Sequence, residues 1–375
     1  MIEKRADRHL NSLVCKYPEL AWDINFLNIR KTPKEENSKN LTGISLKDFK
    51  ISARETFEEK KKVLFAHFSP FKYELEGIGL PYYASKALPN SEIHVTYDKG
   101  KSESIKFKIK DSKWERIDNL SEYYDIIIAR SSVLLNMMNR KDDAEIVKKS
   151  RHKVNIKTMS YRPNYVYADV YFSESELCPV APPQIEERSK NAFLKFKKKN
   201  IILITGSLWH VKTQLSFFQQ VDPHILKEFD VVVVGPEKDS LYVSQIEAVC
   251  KKRGIDPFII GNVCENFLVN LYCISKIHVI TMDMRVFGQP EGYPRVLGEG
   301  MAGKCLTVCN MPVTIPEFFK DSCLVYNYEQ VGDLNRVLKK AIDVVSCKHF
   351  PDTWKWPNFS FEDQCSEILK KCIVD

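Results

Sequence analysis

No apolar run in these 375 residues approaches the ~18 to 20 needed to cross a bilayer, and the opening MIEKRADRHL has no apolar core of the kind found in a secretory leader. Both absences lead us to expect a soluble, cytoplasmic protein without a transmembrane segment. No cysteine pair shows C-x2-C spacing, so a structural zinc site is not expected. The eleven cysteines are scattered and mostly sit inside apolar segments, as with Cys305, Cys309 and Cys323, which suits reduced core thiols. No apolar run is followed by G-x-G-x-x-G, which argues against a nicotinamide-dependent oxidoreductase. A D-x-D triplet is also missing, and with it a common carboxylate pair for holding Mg2+ or Mn2+ on phosphates. Dense basic blocks are lacking too. The net charge of +7 is mild, and KFKKKN (195 to 200) reads as a solvated lead into a strand, so nucleic acid is not an expected partner. An anionic ligand or peripheral contact with a membrane surface suits the charge equally well.

What is present is enough apolar sequence for two cores: 44% of a chain this long is hydrophobic. Residues 1–60 are polar and weakly periodic and read as an N-terminal extension. A first Rossmann-like domain is expected over 61–180. It opens with the strand KVLFAHFS (62 to 69), a loop holding Gly77 and Gly79, and the apolar helix LPYYASKAL. Further strands are expected at EIHVTYD (92 to 98), DIIIARS (125 to 131) and ADVYFSES (168 to 175), separated by charged, helix-compatible sequence. The Pro-rich, then charged CPVAPPQIEERSK (178 to 190) reads as an interdomain linker. A second domain is expected over 181–359, with apolar runs NIILITGS, FDVVVVGP, PFIIGN, KIHVITMD, CLTVCN and SCLVYN. Continuous apolar strands alternating with helices mean parallel sheets covered on both faces, and hence an α/β fold.

The segment PEGYPRVLGEGMAG (290 to 303) carries the chemistry. Glu291 and Glu299 stand eight positions apart around an expected helix start. Pro294 suits the first helical position and Gly303 supplies a stop, so residues 294 to 302 are expected to be helical. At ~1.5 Å rise per residue the two carboxylates lie roughly 12 Å apart. That distance fits the hexose and the ribose of one nucleotide-sugar. A helix start also presents unpaired N–H groups and the positive end of the macrodipole to a diphosphate. Because the segment lies between two apolar runs, it occupies the carboxyl end of a strand, where open parallel sheets bind ligands.

The run from Asp283 to Asn310 resembles the donor-site signature of the retaining glycosyltransferases of family 4, with its E-x7-E motif and the small residues Ala302 and Gly303 behind it. ILITGSLWHVKTQLSFF (202 to 218) is similar to that family's phosphate loop and FIIGNVCENFLVNLY (258 to 272) to its base-binding loop. WPNFSFEDQCSEILKK (356 to 371) is similar to its closing helix. The match covers the last half of the chain closely and the first half in outline.

The resemblance implies a GT-B fold, two Rossmann-like domains with parallel sheets facing across a cleft. The domain at 61–180 would be the acceptor side, joined by a C-terminal helix over 360–375, and the domain at 181–359 the donor side. It further implies retaining transfer of a hexose from a nucleotide-diphosphate sugar to a glycan, lipid-linked or protein-linked hydroxyl. In retention the departing phosphate oxygen accepts the acceptor's proton on the same face.

Site roles follow from the same resemblance. Glu291 would hold the transferred sugar, the N–H groups of Gly292 and Tyr293 would orient it, and Glu299 would bind ribose, with Arg295 and Val296 in the same motif. Gly206 lets backbone approach a ligand and Lys212 would neutralise the diphosphate, whose negative charge grows as the glycosidic bond breaks. The arginine usual in the family five positions before this lysine is Ser207 here; His210, Arg285 and Arg295 are the candidate replacements for its charge, Arg295 being preferred. Backbone near Asn262 and Val263 would bind the base. The Glu265 carboxylate matches the two-donor edge of guanine, which tilts the donor toward GDP-mannose. An acidic residue there equally suits an ordinary helix start. In the acceptor-side domain Arg130 stands where the family often has a histidine beside the reacting sugar. Gly77 and Gly79 are turn glycines in a loop that reaches donor or acceptor in this fold, and His67 reads as either a core histidine or a site residue. No essential metal and no cofactor are expected. The alternative is a nucleotide-sugar-binding protein of the same fold without transfer activity, for which Ser207 and Arg130 are the signs.

Overall fold

A computed structural model describes residues 2–24, 29, 52–68, 79–99, 103–110, 113–130, 133–158, 170–173, 183–281, 295–310, 321–356 and 360–373. In chain order the elements are α1 (Ile2–Lys16), β1 (Lys62–Ala66), α2 (Gly79–Ala87), β2 (Glu92–Lys99), β3 (Glu103–Lys110), β4 (Lys113–Ile117) and β5 (Ile126–Arg130). There follow α3 (Val133–Met138), α4 (Lys141–Lys149), β6 (His152–Thr158), β7 (Val170–Ser173), α5 (Pro183–Phe193), β8 (Lys199–Thr205), α6 (Gln214–Gln220), β9 (Asp230–Val234) and α7 (Ser240–Arg253). The chain continues with β10 (Phe258–Gly261), α8 (Glu265–Ile274), β11 (Ser275–Ile280), α9 (Arg295–Ala302), β12 (Leu306–Asn310), β13 (Cys323–Tyr326), α10 (Asp333–Ser346) and α11 (Phe361–Ile373). No helix among the described residues is long and apolar enough to cross a membrane.

Two compact units result, one of residues 38–184 with 359–375 and one of 1–37 with 185–358. The first holds a seven-stranded sheet in the order β4-β3-β2-β1-β5-β6-β7, the second a six-stranded sheet in the order β10-β9-β8-β11-β12-β13. Every pairing in the six-stranded sheet is parallel. Its central strand β8 shows why: Ile202 and Ile204 enter one core, Ile201 and Leu203 the core on the opposite face. A strand buried on both faces needs an unbroken apolar run, which is what NIILIT supplies.

The seven-stranded sheet is mixed, where a parallel one was expected. β2 to β3 and β3 to β4 are antiparallel, forming a meander on one edge. Residues 103–110 and 113–117 thus form strands where charged, helix-compatible sequence was read. Along the described side chains of β3, Ile105, Phe107 and Ile109 are buried, while Lys106, Lys108 and Lys110 are not. This strand is covered on one face, so it alternates with period two and its lysines disguise it. β6, whose sequence HKVNIKT alternates polar and apolar residues, was missed as well.

The expected N-terminal extension divides between the units. α1 lies against β10, with Leu10, Leu13 and Tyr17 in one cluster with Val232, Ile260 and Phe267. Arg5 pairs with Glu247 at 2.5 Å, Lys16 with Asp230 at 2.7 Å, and His9 Nδ1 accepts the Ile259 N–H of edge strand β10 at 2.9 Å. Burial lowers the pKa of His9, which keeps that acceptor neutral. The stretch read as a linker is helical from Pro183, the first residue of α5.

Candidate active site at the β8–β11 switch point

In the six-stranded sheet the chain runs outward from β8 through β9 to β10, then returns to β11 on the other side of β8 and proceeds to β13. Loops leaving β8 and β11 therefore diverge, and the crevice outside their carboxyl ends is where such sheets take ligands. β8 ends at Thr205 and is followed by Gly206 at φ +135° and Ser207. The loop continues through a 3-10 turn, His210–Lys212, and Thr213 at φ 49° before α6. Lys212 is thus the last residue of the turn before the helix. Its stem runs beside Gly206: a Cβ built on that glycine lies 3.9 Å from Lys212 Cγ and Cδ. The Thr281 hydroxyl, just beyond β11, donates to the Lys212 carbonyl and so ties the two sides of the switch point. The Ser207 carbonyl accepts from Gln214 Nε2 at 3.1 Å. Gly235, after β9, sits so close that a Cβ there would lie 2.0 Å from the Gly206 carbonyl oxygen.

α9 covers Arg295–Ala302; Pro294, the expected first helical residue, lies outside the described residues. It approaches β11 so closely that a Cβ on Gly300 would stand 2.4 Å from His278 Nδ1. Gly303, expected as the helix stop, does follow the last helical residue, Ala302, and it also lets the chain pass Tyr272, whose Cβ would be 2.4 Å from an added methyl; the left-handed turn falls on Lys304 at φ 56°.

On this helix Glu299 is only 2% exposed. Arg295, one turn earlier, pairs with it at 2.7 Å through Nε. The Tyr272 hydroxyl, from α8, donates to its other oxygen at 3.3 Å. Burial, and then the Glu299 carboxylate, push the Tyr272 hydroxyl well above its usual range, so it stays a donor. Behind it, Thr205 Oγ1 lies 2.7 Å from His278 Nε2, and burial pushes the histidine down to about 3. Tyr272, His278 and Thr205 were not among the candidates from sequence. The available signal was a polar residue inside each of two apolar strand runs beside the glutamate motif.

Asn262 is exposed after Gly261, Val263 is buried among the apolar residues beneath α1, and Glu265 is the exposed first residue of α8. The N-terminal segment reaches this loop, where the Cys264 N–H donates to the Ile29 carbonyl at 2.7 Å. In the seven-stranded unit the order reverses between β1 and β5, with Ala66 paired to Ala129. His67 and Arg130 therefore stand at the carboxyl ends of the two switch-point strands. His67 adopts φ 66° and stacks on Tyr97, ring centroids 5.9 Å apart and 15° from coplanar. Gly79 is the buried first residue of α2. Val296 is half-buried on α9. Glu291, Gly292, Tyr293 and Gly77 lie outside the described residues, as does the Arg130 side chain.

No protein-family model and no curated protein matches the chain. Among solved structures it is similar to one described as trehalose-6-phosphate from E. coli bound with UDP-2-fluoro glucose, at 10% identity and a TM-score of 0.50, covering 84% of this chain and 96% of that one. The catalytic domain of starch synthase IV from Arabidopsis thaliana, bound to ADP and acarbose, is similar at 8% identity and a TM-score of 0.48, covering 81% and 94%. HepE from Anabaena in complex with UDP and glucose follows at 11% and 0.46, covering 83% and 95%. At such identities the likeness is one of fold. Together with the two doubly wound units it gives the chain the GT-B architecture.

Proposed function

We propose that this chain is a nucleotide-sugar-dependent glycosyltransferase whose donor binds at the β8–β11 switch point. The observation that carries the reading is that Glu299 accepts from the Tyr272 hydroxyl, which is hydrogen-bonded to Thr205, the last residue of β8 before the loop of Gly206 and Lys212. The solved structure of similar fold that holds UDP-2-fluoro glucose is consistent with a nucleotide-sugar as the ligand class.

In this reading Lys212 balances the diphosphate as charge develops on it, and the Gly206 backbone approaches the same phosphates. Arg295, whose Nε pairs with Glu299, supplies the second cation. Glu299 accepts from the ribose, Glu291 holds the transferred hexose, and the backbone at Gly292 and Tyr293 orients it. Asn262 and Val263 border the base, and Glu265 favours guanine, which makes GDP-mannose the preferred donor. Transfer proceeds with retention, the leaving phosphate taking the acceptor proton, without an essential metal. Arg130 and His67 belong to the acceptor side, with a glycan, lipid-linked or protein-linked hydroxyl as acceptor.

Titration calorimetry with GDP-mannose, GDP-fucose, UDP-glucose, UDP-GlcNAc and UDP-galactose, each with and without Mg2+, tests the reading. Saturable binding of one donor is expected with and without the metal, and weakening by about 10- to 100-fold in Lys212→Ala and in Glu291→Ala. If none binds, or both variants bind like the parent, the donor site is misassigned. A second reading, a donor-binding protein without transfer, is favoured by Ser207 at the position of the family arginine. Donor binding with no release of nucleoside diphosphate over any acceptor panel would select it.

A further inference from the structure

The groups around Glu299 form a directed chain. Paired to Arg295, the Glu299 carboxylate accepts hydrogen bonds and donates none, so the Tyr272 hydroxyl gives its proton to Oε2. The Tyr272 oxygen is then left to accept, and the Thr205 hydroxyl is hydrogen-bonded to it. Having donated, Thr205 Oγ1 accepts from His278 Nε2 at 2.7 Å. His278 therefore carries its hydrogen on Nε2, and Nδ1, facing Gly300 and without a hydrogen-bond partner among the described residues, is a bare acceptor. The opposite tautomer would bury an N–H with no acceptor and leave Tyr272 without its donor, which costs more. All four side chains are buried, and they come from β8, β11, α8 and α9. An orienting chain of this depth fixes one direction for the carboxylate, since a buried hydrogen-bond network is stiff when every hydroxyl is used.

We propose that Tyr272, backed by Thr205 and His278, is a positioning residue that aims the Glu299 carboxylate at the ribose hydroxyls of the donor and so sets the preference of the site for ribonucleotides. This rests on the donor site argued above. A carboxylate held in one direction rewards a ligand that offers hydroxyls there and is left unpaired by one that lacks them. A carboxylate that loses the Tyr272 donor is held by Arg295 alone, can turn about that pair, and loses that discrimination.

The test is the affinity ratio between GDP and 2′,3′-dideoxy-GDP, with the UDP and ADP pairs alongside, measured by calorimetry on the full chain. The parent is expected to prefer the ribonucleotide by about 10- to 100-fold. Tyr272→Phe should bring that ratio to within about threefold of unity while leaving the dideoxy affinity unchanged. Thr205→Val, which leaves the tyrosine and glutamate in place, should lower it part of the way, and Thr205→Ser should restore it. A ratio preserved in Tyr272→Phe overturns the proposal, and so does an equal weakening of both nucleotides, which is what a merely structural role gives. Thr205→Val decides the matter in the same way if Tyr272→Phe does not fold. Glu299→Gln separates the two levels of argument. If the parent shows no preference, or Glu299→Gln keeps it, the donor site itself is wrong; if Glu299→Gln loses it and Tyr272→Phe does not, only the positioning role fails.

Discussion

At the scale of single residues, His278 has a second consequence. It is neutral in the folded chain, held at about 3 by burial, whereas in the unfolded chain it titrates at its ordinary value near 6.5. Below pH 6.5 the unfolded state takes up a proton that the folded state refuses. The stability that the neutral ring contributes is therefore complete above pH 6.5 and is lost as pH falls toward 3, by up to about 1.4 kcal/mol per unit. Urea midpoints measured from pH 7 to pH 4 should fall less steeply for His278→Asn than for the parent. Parallel slopes would mean that the ring protonates in place. Lys198 teaches the same lesson about what a sequence hides. The run KFKKKN reads as solvated charge, yet Lys195 lies over the Trp22 ring at 4.3 Å and Lys199 pairs with Glu19 at 2.8 Å. Lys198 itself is half-buried and donates to the Tyr272, Ser275 and Gly303 carbonyls at 3.0, 2.5 and 2.6 Å. Its partners are the ends of α8 and α9, which only the folded chain brings to it. Charge that answers helix carbonyls cannot be told from charge that answers water by composition alone.

At the scale of elements, legibility followed burial. Strands covered on both faces, β1, β5, β8, β9, β11 and β12, announce themselves as apolar runs, and the end of the helix of the glutamate motif was readable from Gly303. The meander β3–β4 was not, because one solvated face fills every second position with charge. α1 was read as loose extension because its partner, the edge of β10, lies far along the chain. The glycines of α9 were readable as punctuation but not as packing. Gly300→Ala makes the difference measurable. In an exposed helix the change gains about 1 kcal/mol of propensity. Here the added methyl would meet His278 at 2.4 Å inside a closed layer, and overpacking of that kind costs about 1 to 3 kcal/mol. A net loss of stability on the order of 1 kcal/mol is expected by thermal melting. A gain would show that α9 can move off β11.

At the scale of the whole chain, the order of the sequence and the order of the units differ. The last helix, α11, belongs with residues 38–184 and not with the sheet that immediately precedes it. Phe361, Cys365, Ile368, Leu369, Cys372 and Ile373 enter one apolar cluster with Val63, Phe65, Tyr83 and Ile93. Asp363 pairs with Arg54 at 3.2 Å and Lys370 with Glu55 at 2.8 Å, which fastens the segment before β1 to the same helix. Burial of each large apolar side chain is worth about 1.5 to 3 kcal/mol. The four that are large, Phe361, Ile368, Leu369 and Ile373, together approach the entire ~5 to 15 kcal/mol by which a domain is stable. A chain ending at residue 358 should therefore lose the cooperative folding of its seven-stranded unit, while the six-stranded unit keeps its own core. Amide exchange should show β1, β2 and β5 unprotected and β8, β9 and β11 protected. If the donor site lies wholly within the six-stranded unit, the shortened chain binds nucleoside diphosphate within about tenfold of the parent and transfers no sugar. Loss of nucleotide binding together with the seven-stranded unit would mean that residues outside 185–358 hold the nucleotide, and the switch point at β8–β11 would not be sufficient for it.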